Sequence, residues 1–427
     1  MRSLTRRGFL KSGLTASALA AAGSETWSQG EQRREIPAAD AEPRVVTTEA
    51  GVPRAAAISI ADLLDHGARI RSGQKVLILA YLDGLYGGDN LVDREAIHWI
   101  QRAAEARGAR TEVVWADVPA RVHEWRFPAE VRAAMDRSDL VINHSFDLTV
   151  EEILAFRQYV EQDRKIPMVR NFATTASLLS TEWALTPQEL VSEIRYQAAL
   201  LVQPGLRWQL TDPNGTHLEG VVMPARNPSK RYAVRREEGS YLPWPEWVCP
   251  PIALGETSGT FIFDRTLSWW SRYIGIRPYF EHPIRLTIRD NRILSIEGGT
   301  EAEALRRFLT DLHGRLGESV YDFDTLHFGV HPQAQVAEHQ CPSVLYRRLI
   351  EHSHSSNLHV HVGSPKATPS FAYWPHITGD VRQATFRIGD KLIHDAGRLT
   401  VLDAEPVRTV AARYPGRPGL GSEPCHG

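Results

Sequence analysis

The chain of 427 residues is poor in cysteine: Cys249, Cys341 and Cys425 are too few and too scattered for a disulfide framework or a cysteine-rich zinc site. It lacks an excess of either charge, since 49 Lys+Arg against 51 Asp+Glu leave a formal −2. With no basic tail either, that balance argues against nucleic acid or an anionic membrane surface as a partner. Beyond the N-terminal segment no stretch approaches the ~20 continuous apolar residues of a membrane span. Gly84, Gly87 and Gly88 follow an apolar run without G-x-G-x-x-G spacing, so no phosphate-binding loop is indicated. G-x-S-x-G, H-E-x-x-H and internal repeats are absent as well. What is present is an ordinary folded composition, 42% apolar and 23% charged, in a chain long enough for two or three domains. A soluble, enzyme-sized protein is the starting point this leaves.

The N-terminus reads as an address. Thr5-Arg6-Arg7-Gly8-Phe9-Leu10-Lys11 precedes a weakly apolar run from Gly13 to Gly23, with Ala20, Ala21 and Ala22 offering a small-residue cleavage site. The paired arginines followed by Phe-Leu-Lys resemble a twin-arginine signal, which implies export of an already folded protein to the periplasm or beyond. Residues 1–23 are therefore assigned to the signal and residues 24–57, polar with scattered proline and glycine, to a linker.

Residues 58–200 alternate between strand and helix patterns. Lys75 to Ala80 is a continuous apolar run, as in a strand buried on both faces. Asp93 to Arg107 has apolar residues at helical spacing, closed by Gly108. Glu112–Trp115, Leu140–Ile142, a helix over 150–161 and Pro167–Val169 continue the alternation, which predicts an α/β domain with a largely parallel sheet. Residues 201–405 instead predict an α+β domain with mostly antiparallel strands. Trp208–Thr211 and Thr216–Glu219 flank an Asn214-Gly215 turn, and Thr260–Phe263, Ile284–Ile288 and Ile293–Ile296 are further strands before a helix over 301–313. Residues 406–427, rich in proline and glycine, read as a loose tail.

Seventeen histidines are present, and ten of them fall between His313 and His394. Histidine is the commonest metal ligand among side chains, so this density raises the expectation of a metal site in the second half.

Particular segments there carry a resemblance. They are Trp244-Pro245-Glu246-Trp247, Ser258 to Asp264, Gly298 to Arg306, Leu326 to Gln335 and Pro375-His376-Ile377-Thr378. In this order they resemble the C-terminal half of the 2,5-dihydroxypyridine 5,6-dioxygenase family and, more distantly, the aminopeptidase T metalloproteases that share its scaffold. The resemblance spans roughly residues 200–405. It implies an aminopeptidase T-like fold, a homodimer and a mononuclear iron(II) held by two histidines and one carboxylate, a set that leaves positions open for substrate and O2. His376 matches the histidine of the family's H-x-D. The aspartate position, however, is Thr378, and the upstream histidine position falls on Thr325.

Two residues beyond each threonine stands a ligand type: His327 after Thr325, Asp380 after Thr378. Side chains at i and i+2 of a strand share a face, so a site shifted along the strands predicts His327, His376 and Asp380 as metal ligands. Gly379 would spoil that spacing if it turned the chain. His359 and His361, in Leu358-His359-Val360-His361-Val362-Gly363, form a second same-face pair, although an alternating strand of this kind equally fits a half-exposed edge. Resemblance to aminopeptidase T places a metal ligand at His359 and a glutamate ligand beside Glu246, at the position of Trp247. The candidate ligands are thus His327, His376, Asp380, His361 and Glu246, with His331 and His359, and His327 besides, as candidate proton acceptors. Trp247, Phe328, Thr325, Thr378 and Trp374 are the candidate substrate pocket, with Trp244 and Tyr373 nearby, unless these rings pack the core instead.

The reading is a metal-dependent enzyme, an Fe(II) extradiol-type dioxygenase cleaving a hydroxylated aromatic or N-heteroaromatic ring. The alternatives are a metalloaminopeptidase using Zn, Co or Mn, and a ligand-binding protein whose metal site has decayed.

Overall fold

The computed structural model describes residues 51–421 apart from 82–91, 117–127, 145–158, 160–162, 164–165, 172–173, 225–240, 246–247, 250, 264–275, 277–279, 343, 364–365, 369–370 and 374–376. Residues 1–23, expected to be a signal, and the expected helix over 150–161, save Tyr159, lie outside the described residues. Four parallel strands come first: β1 (Lys75–Tyr81), β2 (Arg110–Ala116), β3 (Leu140–Asn143) and β4 (Met168–Arg170). Val76 to Ala80 are fully buried, as their unbroken apolar run requires of a strand covered on both faces. The helix Arg94–Ala106 between β1 and β2 starts where the Asp93 carboxylate accepts the Ala96 N–H at 2.7 Å. It stops at Gly108, whose φ of +79° a side chain would resist.

The second sheet begins with the hairpin β5 (Arg207–Thr211) and β6 (His217–Val222). Asp212 shapes its turn by accepting the N–H groups of Asn214 and Thr216 at 2.8 and 2.9 Å. The chain then returns to the parallel sheet with β7 (Tyr241–Pro243), which completes the order β2-β1-β3-β4-β7. The parallel sheet therefore recruits a strand from beyond residue 200.

The remaining strands are β8 (Ile252–Phe263), β9 (Ile284–Arg289), β10 (Arg292–Glu297), β11 (Phe323–Phe328), β12 (Leu358–Val362), the small hairpin β13 (Lys366–Thr368) and β14 (Phe371–Tyr373), β15 (Ile377–Val381), β16 (Thr385–Ile388), β17 (Lys391–Asp395) and β18 (Arg398–Leu399). The large sheet is antiparallel throughout its pairings and runs β15-β12-β11-β8-β6-β5-β16-β17-β18, with β9 also pairing β8 and β10 pairing β9. One apolar core surrounds the parallel sheet. A second lies between the antiparallel sheet and the helices Gln188–Leu201, Thr300–Leu316 and Glu405–Ala412.

Two expectations about irregular segments need correction. The end of the stretch assigned to linker, from Arg54, is already helix, and the helix Arg54–Asp62 buries Ala56, Ala57, Ile60 and Ala61. The stretch assigned to a loose tail begins as the helix Glu405–Ala412, where Pro406 sits in the first turn and so interrupts no hydrogen bond. Val407 and Val410 bury one face of it, and the Tyr414 hydroxyl donates to the Glu189 carboxylate. No helix among the described residues is long and apolar enough to cross a membrane.

Candidate metal centre

Three strands at one edge of the antiparallel sheet build the site. On β12, Leu358, Val360 and Val362 point into the apolar core, so the alternation of a strand sends His359 and His361 to the other face. On β11 the core takes Leu326 and Phe328, which leaves Thr325 and His327 facing with the histidines. On β15 it takes Ile377 and Val381, which leaves Thr378 and Asp380. Gly379 does not turn the chain. It stays in β15 opposite Val360, and a β-carbon there would overlap the ring of Phe263 packed beneath the sheet.

Register then makes two rows. His327 pairs with His359, and His359 with Asp380; two residues along, Thr325 pairs with His361, and His361 with Thr378. Six side chains thus share one face as a grid of three strands by two levels. A seventh group arrives from above. The helix Val344–His352 ends in His352, and a turn through Ser353–Asn357 leads straight into β12. That turn is held by the Ser353 hydroxyl donating to the Ile350 carbonyl, the Ser355 N–H donating to the His331 carbonyl and His394 Nε2 donating to the Ser355 carbonyl, at 2.6, 3.0 and 3.0 Å.

The rings lie close together. Centroids of His327 and His359 are 4.9 Å apart with planes 8° from parallel, those of His327 and His361 are 4.6 Å apart, and those of His352 and His359 are 3.5 Å apart. Two sets of donor atoms gather within 4.8 Å of one another: His327, His359 and His361, and His352, His359 and Asp380. His359 belongs to both. His352 Nδ1 and Asp380 Oδ1 are 2.9 Å apart. Donors at right angles, each about 2.1 Å from one ion, are about 3.0 Å apart, so this pair already has the spacing of neighbouring ligands. Nδ1 of His327 donates to the Cys249 carbonyl at 3.2 Å, which leaves Nε2 with its lone pair. Burial, with the nearby His352 adding to it, lowers the His327 pKa to about 3 and keeps the ring neutral, the form that ligates or accepts a proton.

The model of the NicX family, 2,5-dihydroxypyridine 5,6-dioxygenase, matches residues 94–348, more than half of the chain. The chain belongs to this family. No curated protein matches it in sequence. Among solved structures, the 2,5-dihydroxypyridine dioxygenase from Pseudomonas putida KT2440 is similar over 81% of this chain and 97% of its own, at 17% identity and a TM-score of 0.58. Wild-type AmpT from Thermus thermophilus is similar over 80% of this chain and 98% of its own, at 13% identity and a TM-score of 0.50. These likenesses establish the aminopeptidase T-like scaffold.

Within this NicX-family chain the expected residues fall into four groups. His327, His359, His361 and Asp380 are brought together, and Thr325 and Thr378 share their face. His327 and Asp380 do not, however, fall in one donor set; His359 stands between them. Phe328 is corrected: as the immediate neighbour of His327 it points to the opposite face, fully buried and edge-on to His394 at 5.1 Å. His331 belongs to neither donor set. It is fully buried against the Ser353–Ser355 turn, its Nδ1 accepting the Gln333 N–H at 3.1 Å, and burial lowers its pKa to about 3. Trp244 likewise packs the core of the parallel sheet, its indole N–H donating to Asp62 at 3.1 Å. His376, Glu246, Trp247 and Trp374 lie outside the described residues.

His352 is the donor that sequence reasoning missed. It ends a helix, where neither strand alternation nor the family segments point to it. The only available signal was its closeness to His359, seven residues on, in the densest run of histidines.

Proposed function

We propose that this chain is a metal-dependent ring-cleaving dioxygenase acting on a hydroxylated aromatic or N-heteroaromatic ring, with His352, His359 and Asp380 holding the metal. The observation that carries this reading is the gathering of two imidazoles and one carboxylate within 4.8 Å on the scaffold of a dioxygenase family. That donor set suits iron(II), which when bound supplies open positions for a ring oxygen and for O2. The set keeps Asp380 from the triad expected from the sequence and takes His359 and His352 in place of His327 and His376. The family's ligand positions, Thr325 and Thr378, both lie in the row of His361. The proposed centre lies one strand repeat along, in the row of His359 and Asp380.

The residues around the set have separate tasks. Burial of His359 and Asp380 keeps bulk water from the donors. His327, with Nδ1 committed to the Cys249 carbonyl, turns Nε2 toward the same space, where as a neutral ring it accepts a hydrogen bond from the substrate hydroxyl and orients it. The sequence start at Arg6-Arg7 supports export by the twin-arginine route, with the centre loaded before transport.

A metalloaminopeptidase is the second reading. It is favoured by the all-imidazole set His327, His359 and His361, a donor set suited to zinc, on a fold shared with AmpT. One experiment separates the two. Protein purified without oxygen is assayed for metal content, for O2 uptake with 2,5-dihydroxypyridine and for release of an N-terminal residue from a peptide. Iron together with O2 uptake, both lost in His359→Ala, is the expected result. Retained zinc with peptide hydrolysis establishes the second reading, and metal content unchanged in His359→Ala removes both.

A further inference from the structure

We propose that Thr325 recognises a second oxygen on the ring substrate, so that the site selects rings carrying oxygens at opposite corners. This rests on the ring-cleaving reading above. Thr325 precedes His327 by two residues on β11, on the same face, and stands directly opposite His361. It is 6% exposed, and its hydroxyl has no hydrogen-bond partner among the described residues. Valine would fill the same space without desolvating a hydroxyl, so an unmatched threonine here is destabilising unless a ligand completes it.

The neighbours of Thr325 say where that ligand lies. Across β11 on the β8 side its partner is Ala253, which offers only a methyl group and is itself partly exposed. On the β12 side stands the His361 imidazole. The buried hydroxyl lies on the face of the sheet that carries His327 and His361.

Spacing supplies the selectivity. Two residues along a strand span about 6.5–7 Å, comparable to the reach between oxygens across a six-membered ring. A ring with one oxygen at His327 and the metal donors thus presents the opposite oxygen to Thr325, which donates its O–H to it. Oxygens on adjacent carbons, as in a catechol, both fall at the His327 end and leave Thr325 unmatched.

The test is anaerobic calorimetry on metal-loaded enzyme with two ligands. One is 2,5-dihydroxypyridine; the other is 3-hydroxypyridine, which keeps the nitrogen and one hydroxyl but lacks the oxygen across the ring. Thr325→Val is expected to weaken binding of the first by about tenfold, the size of one neutral hydrogen bond, and to leave the second unchanged. Thr325→Ser, which restores the hydroxyl, recovers the loss. No loss for either ligand, or an equal loss for both, overturns the proposal and leaves the ring-cleaving reading standing. A wild-type enzyme that binds neither ligand removes that reading and this inference together.

Discussion

His327 and His359 face each other across β11 and β12 with their ring planes 8° from parallel and their centroids 4.9 Å apart. The two rings have different surroundings despite this symmetry. His359 is central to both donor sets, with His352 and Asp380 on its far side, whereas His327 is committed on one nitrogen to a backbone carbonyl. The expected consequence is that His359→Ala abolishes metal binding and His327→Ala leaves the metal in place while reducing turnover. Elemental analysis of the two variants beside wild type, after purification without oxygen, checks it; equal metal in all three rules out the assignment of His359.

Asp380 is a donor in its own right, and its Oδ1 lies 2.9 Å from Nδ1 of the neighbouring donor His352. Carboxylates that only orient a ligating histidine contribute about 10–100-fold to metal affinity. Asp380→Asn is therefore expected to lower affinity by at least that range, as read by competition with a chelator. A loss smaller than about tenfold excludes Asp380 as a ligand.

Gly379 sets the packing beneath the site. Since a β-carbon there overlaps the Phe263 ring, Gly379→Ala forces the sheet edge or the ring to move. Such overpacking costs about 1–3 kcal/mol, and thermal unfolding of the metal-free variant measures it. A midpoint unchanged from wild type contradicts this account of why β15 carries a glycine between its two outward-facing residues.

Acid sensitivity follows from buried histidines outside both donor sets. Burial lowers the pKa values of His144 and His331 to about 3 and that of His394 to about 4. In the unfolded chain these rings protonate near 6.5. The unfolded state thus binds more protons between the two values, and stability falls as pH drops from about 6.5 toward 4, by up to about 1.4 kcal/mol per pH unit for each ring. Above about 6.5 both states are neutral and the dependence vanishes. Urea unfolding of metal-free protein at pH 7, 6 and 5 tests this; equal stability at all three is the contrary outcome.

Much of the site was legible in the pattern of single strands. Leu358 to Val362 alternates apolar residue and histidine, and the core side of that alternation alone places His359 and His361 together. The same rule, applied to β11, excludes Phe328 from the face of His327; its assignment to the pocket came from its aromatic character rather than its parity. His331 is a candidate proton acceptor only by its place in the histidine-rich run; its backbone and ring partners, Ser353, Ser355 and Gln333, are not legible there, and it belongs to neither donor set.

What the sequence determined by itself was local. It set which residues of each strand share a face, where Asp93 and Gly108 bound a helix, how Asp212 turns a hairpin, and which strands are buried on both sides. The tertiary structure alone decided that β15, β12 and β11 lie side by side, that Asp380 rather than Thr378 stands opposite His359, and that His352 comes down over both. The physical reason is that a strand's register against a distant partner is selected by how all the side chains on its buried face pack at once. Ile377, Val381, Leu358, Val360, Leu326 and Phe328 settle that together, and the row of His327, His359 and Asp380 is positioned as the other side of their fit.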